Sequence, residues 1–216
     1  DCIYATSEQL RIRHHHYHDV QLEDFIAGLV ARQPKLSSTP PAAPTDWRKE
    51  PFELAPDEPI RITRLIERLD EQLVDDTIVI ADIGDSMFSS TELTTRGRTE
   101  FLSPAYYTSM GFAVPATLGA SVARPEARLV AIVGDGAFQM TGMELSNLVA
   151  RKTPAIVIVL NNGGYGTERL LHPGEYKFND IHNWQYHKLP EVLGGGTGYE
   201  IRTEGEFDRA LDAAWN

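Results

Sequence analysis

From residue 60 onward the apolar positions switch between two periods. Ile62, Leu65, Ile66, Leu69 and Leu73 recur at helical spacing, which predicts an amphipathic helix. Thr77 to Ala81 (TIVIA) is a short continuous apolar run, the mark of a strand buried on both faces. The series continues with a small-residue helix over 111–123, Pro115 falling in or near its first turn, and a strand over 129–133. A helix over 139–151, a strand over 155–160 and a last amphipathic helix over 207–215 complete it. Strands alternating with helices predict an α/β fold, a parallel sheet flanked by helices. Such sheets bind ligands at the carboxyl ends of their strands.

The first half is patterned differently. Residues 9–17 alternate, residues 22–32 form an amphipathic helix candidate, and 1–33 together are too few to bury a core. Between Gln33 and Pro59 fall seven of the thirteen prolines, so residues 34–59 read as an extended linker before a domain over 60–216. No internal repeat is evident.

Composition narrows the classes of function. The 216 residues are 42% hydrophobic and 24% charged, which excludes a wholly disordered chain. A net charge of −11 argues against a nucleic-acid or anionic-membrane binder. The longest apolar runs, such as 155–160, are far too short to span a bilayer, and no signal-peptide pattern opens the chain. The first residue is Asp1, so a processed or truncated piece is expected. A lone cysteine, Cys2, rules out an internal disulfide framework and a cysteine-rich zinc site, and fits a reducing cytoplasm.

Two strand ends carry the candidate chemistry. After the 129–133 strand comes Gly134-Asp135-Gly136 and then a helix. Glycines let the backbone turn and approach a ligand, and a helix N-terminus offers N–H groups to an anion. An acid within such a site makes sense if a divalent cation bridges it to a phosphate; a plain strand-to-helix turn is the alternative. The 155–160 strand ends in Asn161-Asn162-Gly163-Gly164-Tyr165-Gly166, whose side-chain and backbone carbonyls are hard oxygen ligands suited to Mg²⁺ or Ca²⁺. Adjacent parallel strands would set Asp135 beside Asn162. No Gly-Lys-Ser/Thr follows either motif, and no full Gly-x-Gly-x-x-Gly stands in place, which argues against a Walker A loop and a nicotinamide fingerprint.

Gly134-Asp135-Gly136, 24 residues, then Asn161-Asn162 resembles the signature of thiamine diphosphate-dependent enzymes. The stretches 81–86 (ADIGDS), 109–112 (SMGF), 160–169 and 178–181 (FNDI) are similar to the pyruvate and indolepyruvate decarboxylase branch. The resemblance implies that 60–216 is that family's diphosphate-binding domain, C-terminally incomplete, preceded by the end of a middle domain over 1–33. It implies thiamine diphosphate and Mg²⁺ as cofactors, with Asp135, the Asn162 side chain and the Gly164 carbonyl as metal ligands. Gly134, Gly136, Ala137, Gly84 and Asp85 would line the diphosphate. Met110 matches the bulky residue that bends thiamine, and the Thr108 carbonyl the acceptor of its amino group, where glycine is usual. Glu168 matches a catalytic acid that manages the substrate carboxylate and proton transfers; half-buried, it would have a raised pKa. A surface acid beside Arg169 is its plain alternative.

The implied activity is decarboxylation of a 2-oxo acid to an aldehyde, with an indolepyruvate-, phenylpyruvate- or pyruvate-like substrate. The family's active site also needs the pyrimidine-binding domain of a second subunit, so a homodimer or homotetramer is expected and this chain alone should be inactive or nearly so. The competing readings are an acetolactate synthase-like carboligase, a separate small subunit of a two-chain decarboxylase, and a non-catalytic diphosphate or Mg²⁺-nucleotide binding module. His14-His15-His16-Tyr17-His18 invites a metal, but alternate strand residues face opposite ways. A surface strand is the reading adopted. His172, His182, His187, Trp184 and Tyr186 read as rim or packing residues, 194–196 as a glycine turn, and Cys2 has no role.

Overall fold

A computed structural model describes residues 3–34 and 51–216. The chain divides into two compact units, split between Glu50 and Pro51. Cys2 and most of the proline-rich stretch lie outside the described residues.

The first unit is an antiparallel sheet of β1 (Ile3–Ala5), β2 (Gln9–Ile12) and β3 (His15–His18), followed by helix α1 (Leu22–Arg32). The alternation over 9–17 is thus a hairpin, not one strand. Its register sets His16 opposite Arg11 and His18 opposite Gln9, so His16 and His18 share a face while His14 lies in the turn. No group of three or more metal-ligating side chains forms among the described residues.

The second unit opens with residues 51–59, which are fastened to it. The Phe52 N–H donates to Glu71 Oε1 (2.6 Å) and the Ala55 N–H to Glu204 Oε2 (3.1 Å), while Pro59 bridges Thr203. Then come α2 (Ile62–Gln72), β4 (Thr77–Ala81), α3 (Asp85–Ser90), β5 (Glu100–Leu102), α4 (Ala113–Ala123), β6 (Arg128–Gly134), α5 (Asp135–Thr141), α6 (Leu145–Ala150) and β7 (Ala155–Leu160). Helices α7 (Gly166–Leu171), α8 (Leu189–Leu193) and α9 (Glu204–Trp215) close the order. The sheet runs β5-β4-β6-β7, all parallel, with Val79 opposite Val130 and Gly134 opposite Leu160.

Because strand side chains alternate, β4 and β6 feed two cores. Val79, Val130 and Ile132 pack with Leu65, Ile66, Leu69 and Leu73 of the α2 region and Phe207, Leu211 and Trp215 of α9. Ile78, Ile80, Leu129 and Val133 pack with Ala113, Val114 and Ala120 of α4 and Ala137 and Phe138 of α5. Arg68 ties α2 to α9 through Asp208 (2.6 Å) and Asp212 (2.7 Å). Helix α9 starts at a capping box in which Thr203 and Glu206 bond each other's backbone N–H groups. The helix expected over 139–151 starts instead at Asp135 and breaks at Gly142, where a Cβ would strike the Phe138 ring. No helix among the described residues is long and apolar enough to cross a membrane.

Candidate functional site

The carboxyl ends of β6 and β7 lie side by side, and Asp135 joins them. Its side chain is 2% exposed, and Oδ1 accepts the Gly136 N–H (2.8 Å) while Oδ2 accepts the Gly163 N–H (2.7 Å). Burial pushes the Asp135 carboxyl up from its ordinary range, opposed by bonds from the Gly136, Gly163 and Gly164 N–H groups and by the Arg169 charge. A buried acid held by loop N–H groups at a strand end is the arrangement expected of a hard-cation ligand. Asn162 stands in the same loop, its Oδ1 accepting the Gly164 N–H at 3.1 Å. Gly166, lacking a side chain, leaves room for Asn162 Nδ2 and Asp85 Oδ2 on one side of its Cα. Asp85 opens α3 at the end of β4, so three strand ends contribute polar groups to one place.

The glycines here have different reasons to be glycine. Gly84 (φ 84°) and Gly163 (φ 72°) need the left-handed region. Gly136 has no room for a Cβ, which would sit 2.5 Å from Ile181 Cδ1 and 2.6 Å from Tyr165 Cε1. Gly134 has an ordinary backbone (φ −71°, ψ 154°), and a Cβ added there meets nothing within 4 Å. Its backbone beside Asp135 therefore faces open space that a side chain would enter. Ala137 is buried in the core that α4 shares with the sheet.

Thr108 and Met110 lie in the segment between β5 and α4. Thr108 sits at φ 58°, a strained angle for a β-branched residue, with its N–H donating to the Pro104 carbonyl (2.7 Å). Met110 is half-buried against the α4–α5 core. The residue that fixes this segment is one that pattern reading passed over. Asp82, fully buried at the end of β4, accepts the Gly111 N–H (3.1 Å) and the Ala113 N–H (2.8 Å). Its signals in the sequence are an acid that ends a buried strand and its place in the 81–86 stretch.

Glu168 is not half-buried: its side chain is 53% exposed, with Oε2 3.6 Å from His172 Nδ1. It stands in the first turn of α7, just past the Asn162 loop, a helix with no buried residue. Arg169 does not pair with it and turns toward Asp180 (2.9 Å). Tyr186 packs edge-on to Phe138 and accepts from Gln139 Nε2 (2.8 Å); burial pushes its phenol up, and the Asp135 charge adds to this.

Residues 82–216 match the family model described as thiamine pyrophosphate enzyme, C-terminal TPP binding domain. The chain is also similar to an indole-3-pyruvate decarboxylase of Azospirillum brasilense, 34% identical over 99% of this chain and 38% of that protein. A pyruvate decarboxylase of Arabidopsis thaliana is 34% identical over 76% of this chain and 28% of its own length. An alpha-keto-acid decarboxylase of Mycobacterium ulcerans is 35% identical over 82% and 32%. The chain thus spans between about a quarter and two-fifths of the length of these relatives.

Proposed function

The chain belongs to the thiamine pyrophosphate enzyme family through its C-terminal TPP binding domain, and from that premise we propose that it serves the non-oxidative decarboxylation of a 2-oxo acid to an aldehyde, as part of a larger catalytic unit. The observation that carries the reading is the buried Asp135 carboxylate, shared by two strand-end loops beside the open Gly134 backbone. The residues present fit a metal-bridged diphosphate: hard oxygen donors on Asp135, Asn162 and the Gly164 carbonyl for Mg²⁺, and side-chain-free backbone at Gly134 for the phosphates. Gly136 and Ala137 would add N–H groups, and Gly84 and Asp85 would close the far side. Met110 and Thr108 would hold the organic rings. When bound, thiamine diphosphate supplies the electron sink that lets CO₂ leave.

Glu168 would manage the substrate carboxylate and the proton transfers. Its exposure in this chain agrees with a site that a second surface covers. Tyr106 (100% exposed), Tyr107, Leu170 and Leu171, in the segments that follow β5 and β7, are exposed large apolar groups. We read the covering surface as the pyrimidine-binding domain of a second subunit in a homodimer or homotetramer. Residues 1–33 we read as the end of a preceding domain. An indolepyruvate- or phenylpyruvate-like acid is the favoured substrate, in keeping with the name of the Azospirillum relative, and a cytoplasmic setting is the reading with which a single cysteine is compatible.

The test restores a pyrimidine-binding domain by fusion and measures CO₂ from indolepyruvate, phenylpyruvate and pyruvate. Release that needs thiamine diphosphate, Mg²⁺ and an intact Glu168 is the expected result. Cofactor binding with no CO₂ release would leave only a binding module, and acetolactate as the main product would point to a carboligase.

A further inference from the structure

The loop that carries Asn162 and Gly164 is fastened from one side by a single guanidinium. Arg169 Nη2 lies 3.2 Å from the Gly163 carbonyl, 3.3 Å from the Asn179 carbonyl and 2.9 Å from Asp180 Oδ1. These three acceptors belong to two segments, the loop after β7 and the turn over 177–181. The backbones of the two segments form an antiparallel bridge at Gly164 and Asp180, with the Tyr165 N–H donating to the Asn179 carbonyl (2.9 Å) and the Ile181 N–H to the Gly163 carbonyl (3.2 Å). Both of those carbonyls are also Arg169 acceptors, so the side chain ties together the two bonds that define the contact. Gly164 is glycine for the same reason: a Cβ there would overlap the guanidinium and the Asn179 carbonyl.

The turn also has its own backbone bonds, from the Asn179 N–H to the Tyr176 carbonyl (2.9 Å) and the Asp180 N–H to the Lys177 carbonyl (3.1 Å). Asn179 is 1% exposed, yet neither Nδ2 nor Oδ1 of its amide has a partner among the described residues. A buried amide without a bond opposes the packed state. Backbone bonds and Arg169 therefore keep the turn in place, not the Asn179 side chain. Charge alone would make a guanidinium a poor neighbour for a divalent cation. Its retention against the loop makes sense if the shape it imposes outweighs that repulsion.

We propose that Arg169 is a positioning residue, which latches the 162–166 loop onto the 177–181 turn and so sets the loop's oxygen donors for a divalent cation. The cation itself rests on the reading given under Proposed function; the latch does not. The test compares the unsubstituted chain with R169K and R169Q. Without ligand, hydrogen exchange at the Tyr165 and Ile181 amides should quicken about tenfold in R169Q and less in R169K, since opening of the contact governs both. At fixed thiamine diphosphate, half-saturation by Mg²⁺ should rise about tenfold in R169Q, with R169K between, since a disordered loop binds weakly. The melting temperature without Mg²⁺ should change little. Unchanged amide exchange, or tighter Mg²⁺ binding in R169Q, overturns the latch. An arm with D135N separates the two ideas: if D135N binds Mg²⁺ and thiamine diphosphate like the parent, the cofactor reading fails while the exchange data still decide the latch.

Discussion

Two glycines of one tripeptide should respond in opposite ways to the same added methyl group. At Gly136 the new Cβ would lie 2.5 Å from Ile181 Cδ1 and 2.6 Å from Tyr165 Cε1, where carbon atoms rest at about 3.5–4.0 Å. Relieving an overlap of about 1 Å against a ring and a branched side chain costs about 1–3 kcal/mol. Alanine's better helix propensity returns about 1 kcal/mol. Gly136→Ala should therefore lose up to about 2 kcal/mol, a melting temperature lower by up to roughly 8 °C in a chain of this size. Gly134→Ala meets no atom within 4 Å and keeps an ordinary φ, so it should gain about 0.4–1 kcal/mol through the unfolded state. The same methyl would stand in the space assigned to the diphosphate and should weaken cofactor binding sharply. Thermal denaturation with and without thiamine diphosphate and Mg²⁺ reads both effects. A stabilised Gly136→Ala, or a Gly134→Ala that binds the cofactor normally, refutes the reasoning.

Two further outcomes test the frame around the site. Glu204, 4% exposed, accepts Arg64 Nε (2.7 Å) and Nη2 (2.8 Å) and the Ala55 N–H, and the Arg64 bonds hold its carboxyl below the usual range. A depressed pKa contributes stability that is present above the unfolded value near 4.5 and is lost as pH falls through the lower folded value. Glu204→Gln should therefore cost about 3 kcal/mol at pH 7, a gap in urea denaturation that narrows as pH falls below about 4.5; a gap independent of pH would contradict it. Thr108→Gly should relieve the strained φ of 58° and raise stability by about 0.5–1 kcal/mol, once the extra chain entropy of glycine is counted. A lower melting temperature would show that Thr108 is held there without strain.

The parts of the fold readable in the chain are those in which one physical demand acts alone. Strands β4 and β6 are covered on both faces, so they appear as apolar runs, and α2 and α9 face one core, so they show a helical stripe. Strand β5 has three exposed residues at a sheet edge and α3 has six residues with no stripe; neither leaves a pattern. The break between α5 and α6 depends on where the Phe138 ring lies, a fact of packing and not of propensity. At the site, the pairing of Asp135 with the Asn162 loop was legible because parallel register sets Gly134 opposite Leu160. Asp82 and Arg169 were not, because their partners lie up to 31 residues away and meet them only through the fold. The motif implies a half-buried Glu168, but burial of an acid depends on what covers it, and among the described residues its side chain stays 53% exposed.

The central claim, a cation-bridged diphosphate at Asp135, is tested most directly by a thermal-shift titration of this chain and Asp135→Asn with thiamine diphosphate, with and without Mg²⁺. Ligand at about 100 times its dissociation constant adds about 2.7 kcal/mol, or roughly 5–11 °C at this size. The account predicts a shift of that order that requires Mg²⁺ and is lost in Asp135→Asn. A shift that persists in the variant, or that forms equally well without Mg²⁺, would contradict it.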